Sequence, residues 1–239
     1  MKNILLIHGW DYDNYYGRIK DSAWKNRQVF IDELKKNNNV YYIDLPGFGL
    51  RKEPKSISWN IRDYAQFVNE YIKNNNLKID YVLGYSFGGA VAVEYKKIFN
   101  NNIKLILVSP ALIRNNNNSK KFIKTPKIFD FIRKPIRDFY LIKIVKNKEM
   151  LYGTKFLRNT YQNIVRVDML PILNDLKSTD FIIIYGEEDT MVNPSKVMST
   201  VNKEISKQIF VIKGGSHNIA VTHTKELTKI INNFINNNK

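Results

Sequence analysis

The 239-residue sequence contains no cysteine, so neither a disulfide framework nor a thiolate metal site can be built from it. It also lacks a long apolar run near its start. Behind Met1-Lys2-Asn3 only Ile4-Leu5-Leu6-Ile7 is continuously hydrophobic, and His8-Gly9 ends it. That run is too short for a signal-peptide core or a membrane span, so a soluble cytoplasmic chain with no transmembrane segment is expected. Histidine is scarce, with three in all, and acid is scarce beside base: 22 Asp and Glu face 38 Lys and Arg, a net charge of +16. Such a balance suits nucleic acid or an anionic surface. No helix-turn-helix, zinc-finger or comparable module accompanies it, so no nucleic-acid partner is expected and a solvated basic surface is the plain reading.

What is present belongs to a globular α/β chain. The composition, 44% hydrophobic and 13% aromatic, is ordinary for a packed domain, and the length is ample for a core. Strands are expected at Asn3 to Ile7, Val40 to Ile43, Ile79 to Tyr85, Ile103 to Val108, Asp180 to Tyr185 and Gln208 to Ile212. Between them helices are expected at Ser22 to Lys36, Trp59 to Lys73, behind Ser86 to about Phe99, near Pro194 to Val201, and around His223 to Ile235. Strands alternating with helices at this spacing imply a mostly parallel central sheet with helices on both faces. The rhythm breaks after Ser109-Pro110 and resumes at Asp180. Residues 110–174 therefore read as a helical insertion, with 1–109 and 175–239 forming the core around it. Asn runs such as Asn37 to Asn39, Asn74 to Asn76 and Asn236 to Asn238 are assigned to turns and to the C-terminus, where Asn tolerates left-handed backbone.

The stretch from Ile79 to Val93 fixes the chemistry. An apolar strand runs into Gly84-Tyr85-Ser86-Phe87-Gly88, a G-x-S-x-G, and then into a helix opened by small residues. In that context the motif is a nucleophile elbow. Ser86 sits at the tip of a sharp turn, and side chains at positions 84 and 88 would collide across it. The amides at the start of the helix face the place where an oxyanion would form.

A serine nucleophile needs a base and an acid. His8 belongs to the first strand–loop junction and His223 to the last helical pattern. His217, in Gly214-Gly215-Ser216-His217-Asn218, follows the last strand, at the end where ligands of parallel sheets are met. The acid should follow an intervening strand, and Gly186-Glu187-Glu188-Asp189-Thr190 does so. Of its three carboxylates Asp189 is the best placed, between the turn begun by Gly186 and the closing Val192-Asn193-Pro194, with Glu187 and Glu188 solvated or structural. The order Ser86, Asp189, His217 is the Ser…Asp…His order of the α/β-hydrolase triad.

Taken together, these motifs resemble the α/β-hydrolase superfamily over essentially the whole chain outside 110–174, and the insertion resembles the cap of that family. His8-Gly9-Trp10 resembles its oxyanion loop, which would set the backbone amide of Trp10 opposite that of Phe87. Asp44-Leu45-Pro46-Gly47-Phe48-Gly49 resembles its D-x-P-G-x-G loop, a structural marker. The antiparallel edge strands common in the family have no counterpart here, and Ser109-Pro110 offers no acid at the position some relatives use. Among subfamilies, the motifs look most like the esterases that demethylate pimeloyl-carrier-protein esters.

The resemblance implies a serine carboxylester hydrolase working through an acyl-enzyme on Ser86, with no metal or organic cofactor. Thioester hydrolysis, acyl transfer, perhydrolysis and C–C cleavage would use the same triad, and a hydrolase-fold binding protein without catalysis is the reading from another class. Residues 110–174 hold 14 basic residues against four acidic ones, ten of the sixteen net positive charges, interleaved with aromatics. They read either as amphipathic helices with solvated lysines or as a greasy channel whose cations attract an acidic acyl carrier protein, an anionic acyl chain or a phospholipid surface.

Overall fold

The apolar segments that alternate with helical spacing form a single six-stranded sheet in the computed structural model, which describes residues 1–99, 102–113 and 147–238. Its strands are β1 (Lys2–Ile7), β2 (Asn38–Ile43), β3 (Tyr81–Tyr85), β4 (Lys104–Val108), β5 (Phe181–Gly186) and β6 (Ile209–Ile212). They lie in the order β2-β1-β3-β4-β5-β6, and each of the five pairings is parallel. All six carboxyl ends therefore reach the same edge of the sheet. The two halves wind outward from β1 and β3, which leaves a crevice at that edge where loops from several strands converge.

Period-two alternation sends each strand into two cores. Leu5, Ile7, Val82, Leu105, Leu107 and Ile183 join one face, under α2 (Ile61–Asn74) and α3 (Phe87–Phe99). Ile4, Leu6, Leu83, Ile106, Val108 and Ile182 join the other, under α1 (Gln28–Lys35) and the last helix, Thr224–Asn237. Both faces are covered, which explains why the strand sequences are almost uniformly apolar. α2 starts where Asn60 and Asp63 close a capping box.

Three expectations shift. The helix expected from Ser22 begins only at Gln28, because the Ser22 hydroxyl and the Ala23 amide are both taken by the Asp44 carboxylate, at 2.8 and 2.9 Å. Asn38 and Asn39 are not in a turn but open β2, where buried Asn38 donates to Leu34 O and to Asn232 Oδ1. Asn236 and Asn237 lie within the last helix rather than beyond it. Asn76 does take the left-handed backbone expected of its run, with φ 50°.

Of the expected insertion, residues 114–146 lie outside the described residues. From 147 to 175 the chain is helical, at Lys148–Tyr152, Lys155–Ile164 and Leu170–Asp175. Phe156, Leu157, Met169 and Leu173 are buried in the same core as α2 and α3. Polar ties fasten these helices to the loop ahead of α2: the Trp59 amide donates to Thr160 Oγ1 at 2.8 Å, Asn163 donates to Trp59 O at 3.1 Å, and Thr154 donates to Glu53 at 2.6 Å.

Candidate active site

Ser86 stands between β3 and α3 with φ 52°, a left-handed backbone that costs a serine of order 1–3 kcal/mol and persists only where its surroundings dictate it. They do. Its amide donates to Val108 O at 2.9 Å, and its carbonyl accepts from Gly89 at 2.9 Å and Ala111 at 3.0 Å. A Cβ at Gly84 would lie 2.3 Å from Gly88 O, and one at Gly88 would lie 2.2 Å from Ile7 O. Glycine at 84 therefore lets the turn close this tightly, whereas glycine at 88 lets the start of α3 lie against the end of β1.

The loop after β1 lies against this turn. A Cβ on Gly9 would sit 3.0 Å from Ser86 Cβ and 3.6 Å from its Oγ. His8 is buried and braces the loop: Nδ1 is 2.7 Å from Gly9 O, and Nε2 accepts the Leu45 amide at 2.9 Å, which leaves Nδ1 as the protonated nitrogen. Burial, acting against the Gly9 hydrogen bond and nearby Asp44, lowers its pKa and keeps it neutral. Trp10 comes next, its ring edge-on to Phe48 and Phe87 at 4.9 and 5.5 Å and its indole N–H on Tyr15 Oη at 2.8 Å. Phe87 is the first residue of α3, so its amide has no intrahelical acceptor. Asp44 accepts from Ser22, Ala23 and Leu50, which makes its loop a brace rather than a reactant.

Across the crevice, His217 Nδ1 lies 2.8 Å from Asp189 Oδ2. The other carboxylate oxygen accepts the Met191 and Val192 amides at 2.9 and 3.2 Å, and the Asp189 side chain is fully buried. Burial raises its pKa, but the His217 hydrogen bond and charge and the two amides outweigh this and leave it lowered. An ionised carboxylate can only accept, so Nδ1 carries the proton and Nε2 is the nitrogen free to act as base. The other carboxylates of that loop are occupied or exposed: Glu187 accepts the Gly214 amide at 3.0 Å, and Glu188 faces solvent. His223 is half-buried, its Nδ1 beside Thr222 Oγ1 at 2.8 Å.

The structure thus places Ser86, Asp189 and His217 in the loops at one edge of the sheet, with His217 and Asp189 in direct contact. Two residues that sequence alone did not single out touch Trp10 and His217. Tyr15 joins Trp10 to the Glu149 carbonyl at 3.3 Å, and Tyr85 donates to the carbonyl of His217. Among the described residues no group of three or more His, Asp and Glu side chains is placed to hold a metal ion, and no helix is long and apolar enough to cross a membrane.

Comparison with known proteins gives the same architecture. The model of the alpha/beta hydrolase family matches residues 4–228. A pimeloyl-[acyl-carrier protein] methyl ester esterase of Pseudoalteromonas atlantica is 22% identical over 94% of this chain and 90% of its own length. A putative esterase/lipase of Mycoplasma pneumoniae is 26% identical over 99% of this chain and 90% of its own. Among solved structures, a meta-cleavage product hydrolase from Pseudomonas fluorescens superposes with a TM-score of 0.69 at 18% identity, covering 100% of this chain and 92% of that one. A bromoperoxidase from Bacillus anthracis gives 0.69 at 17%, over 98% and 92%.

Proposed function

This chain belongs to the alpha/beta hydrolase family, and from that premise we propose that it is a serine esterase whose triad is Ser86, His217 and Asp189. The observation that carries the proposal is the 2.8 Å contact of His217 Nδ1 with buried Asp189, at the same sheet edge as a serine held at φ 52°. Nε2 takes the proton from Ser86 Oγ as it attacks the ester carbonyl, and Asp189 holds the tautomer and stabilises the imidazolium. The amides of Trp10 and Phe87 receive the oxyanion, each such donor being worth about 10²–10³ in rate. His217 then returns its proton to the leaving alcohol, and a water resolves the acyl-enzyme by the same steps in reverse.

A fluorophosphonate probe tests this directly. It should label the wild-type protein and fail to label Ser86→Ala, and a folded Ser86→Ala should lose on the order of 10⁶ in ester turnover. Labelling that survives the substitution removes the reading.

Residues 110–174 act as the cap of this site, and the substrate is a small-molecule carboxylic ester. The esterase-named relatives and the motifs around Trp10, Asp44 and Ser86 favour an ester over a thioester or C–C substrate. The positive charge carried by the cap favours an acyl group that is itself anionic or is borne on an acidic carrier protein.

A further inference from the structure

Tyr85 fills the variable position ahead of Ser86 and is buried at the end of β3. Its hydroxyl donates to the main-chain carbonyl of His217, and its ring stands edge-on to the imidazole with centroids 5.9 Å apart. The Arg27 guanidinium lies over the Tyr85 ring, 4.6 Å from its centroid. Burial, partly offset by Arg27, pushes the phenol up to about 12, so it remains a donor at any working pH.

We propose that Tyr85 is a positioning residue, which holds the base His217 in register with the nucleophile by pinning its backbone. The inference rests on the serine-esterase reading and adds a residue to it. His217 sits in a loop that begins with two glycines, the first at φ 64°. The loop backbone is fastened before His217 by Gly214 to Glu187 and Gly215 to Ile212 O, and after it by Val221 and Thr222 to Asn218 O. Between those points the Tyr85 hydroxyl holds the carbonyl of His217 itself. Asp189 fixes one nitrogen of the ring, and one hydrogen bond leaves the ring free to pivot about that contact. A second anchor on the main chain removes the pivot. Because Tyr85 and Ser86 are adjacent in the chain, the strand end that sets the nucleophile also sets the base. A displacement of about 1 Å between such partners can cost on the order of 10² in rate.

Tyr85→Phe deletes only the hydroxyl, and Tyr81→Phe, at the other end of the same strand and also buried, serves as its control. Both are compared with wild type for the second-order rate of fluorophosphonate labelling at Ser86, for kcat and KM on a p-nitrophenyl ester, and for the downfield proton resonance of the His217–Asp189 hydrogen bond. Tyr85→Phe should melt cooperatively, label some 10- to 100-fold more slowly, lose kcat in proportion with KM held within about twofold, and broaden the resonance. Tyr81→Phe should match wild type in all three. Unchanged labelling in Tyr85→Phe overturns the positioning role, as does an equal loss in Tyr81→Phe, which would be general weakening of β3. If wild-type Ser86 takes no label, the esterase reading falls and the positioning role falls with it.

Discussion

Asp189 is the residue at which geometry and titration meet. It accepts from the His217 ring and two amides, and exchanging it for the isosteric Asn turns one acceptor into a donor facing Nδ1. Turnover of Asp189→Asn should fall by about 10⁴, as expected when a base is held in the wrong tautomer. His217→Ala should be nearly as damaging as losing Ser86, whereas His223→Ala, changing a half-buried side chain whose ring bonds the neighbouring Thr222 hydroxyl, should leave the rate unaltered. The lowered carboxyl pKa adds a stability consequence. A folded pKa below the unfolded value of about 3.9 stabilises the native state fully above that pH, and the contribution disappears as pH falls through the folded value. Urea unfolding of wild type and Asp189→Asn should therefore differ at neutral pH and converge as pH is taken below about 3.9. A gap that does not narrow would mean that the carboxylate charge adds nothing to stability. At this scale the sequence could nominate Ser86, Asp189 and His217 because each sits at a strand end beside turn-forming residues. It could not nominate Tyr85 or Tyr15, because both act on main-chain carbonyls distant in the chain, at His217 and Glu149, and no spacing rule encodes such a contact.

The strand–turn–helix unit from β3 to α3 is packed too closely to admit a side chain at Gly84. An alanine at Gly84 places its Cβ 2.3 Å from the Gly88 carbonyl, a main-chain atom that cannot swing aside. Gly84→Ala should cost about 1–3 kcal/mol or more in stability, read as a lowered denaturation midpoint at unchanged slope, and should slow probe labelling of whatever folds. The helices of 147–175 make a different prediction. Thr160 is wholly buried and its Oγ1 takes the Trp59 amide at 2.8 Å, so Thr160→Val keeps the shape and orphans a donor. That should cost about 1–3 kcal/mol, and limited proteolysis between residues 53 and 60 should accelerate in the variant. The four central strands, β1, β3, β4 and β5, were legible because a strand buried on both faces is written as a nearly continuous apolar run, and the half-exposed β2 and β6 because theirs are rich in β-branched and aromatic residues. The start of α1 was not, since the Ser22 hydroxyl and Ala23 amide look like the makings of a cap and are claimed instead by Asp44, 22 residues away from Ser22. The Asn at the head of β2 was misplaced for a related reason: a local preference for turns yields when a buried side chain finds two partners, Leu34 O and Asn232.

For the whole molecule the deciding quantity is charge. A net +16 on 239 residues sets up a field that acts before any contact forms, and 110–174 carries ten of those charges. Arg158 is half-buried against the Leu151 carbonyl at 3.3 Å, and Lys148 reaches the Tyr12 hydroxyl at 3.1 Å, while Lys155 and Arg166 are exposed. The other ten basic residues of the segment, Arg114 to Lys146, lie outside the described residues. A field of this sign should speed capture of an anionic acyl ester or an ester on an acidic carrier, because steering raises the association rate. It should do nothing for a small neutral ester. Since the screening length shrinks from about 30 Å at 0.01 M salt to about 8 Å at 0.15 M, kcat/KM for the anionic substrate should fall steeply across that range while the neutral one holds. Replacing Arg133, Lys134 and Arg137 together by Glu removes six units of charge from the segment and should reproduce the loss at low salt, with kcat on the neutral ester as the check that the triad is intact. Parallel salt curves for the two substrates would mean that the charge of this segment is only solvated surface, and the preference for an anionic or carrier-borne acyl group would then be abandoned while the proposed esterase chemistry stood.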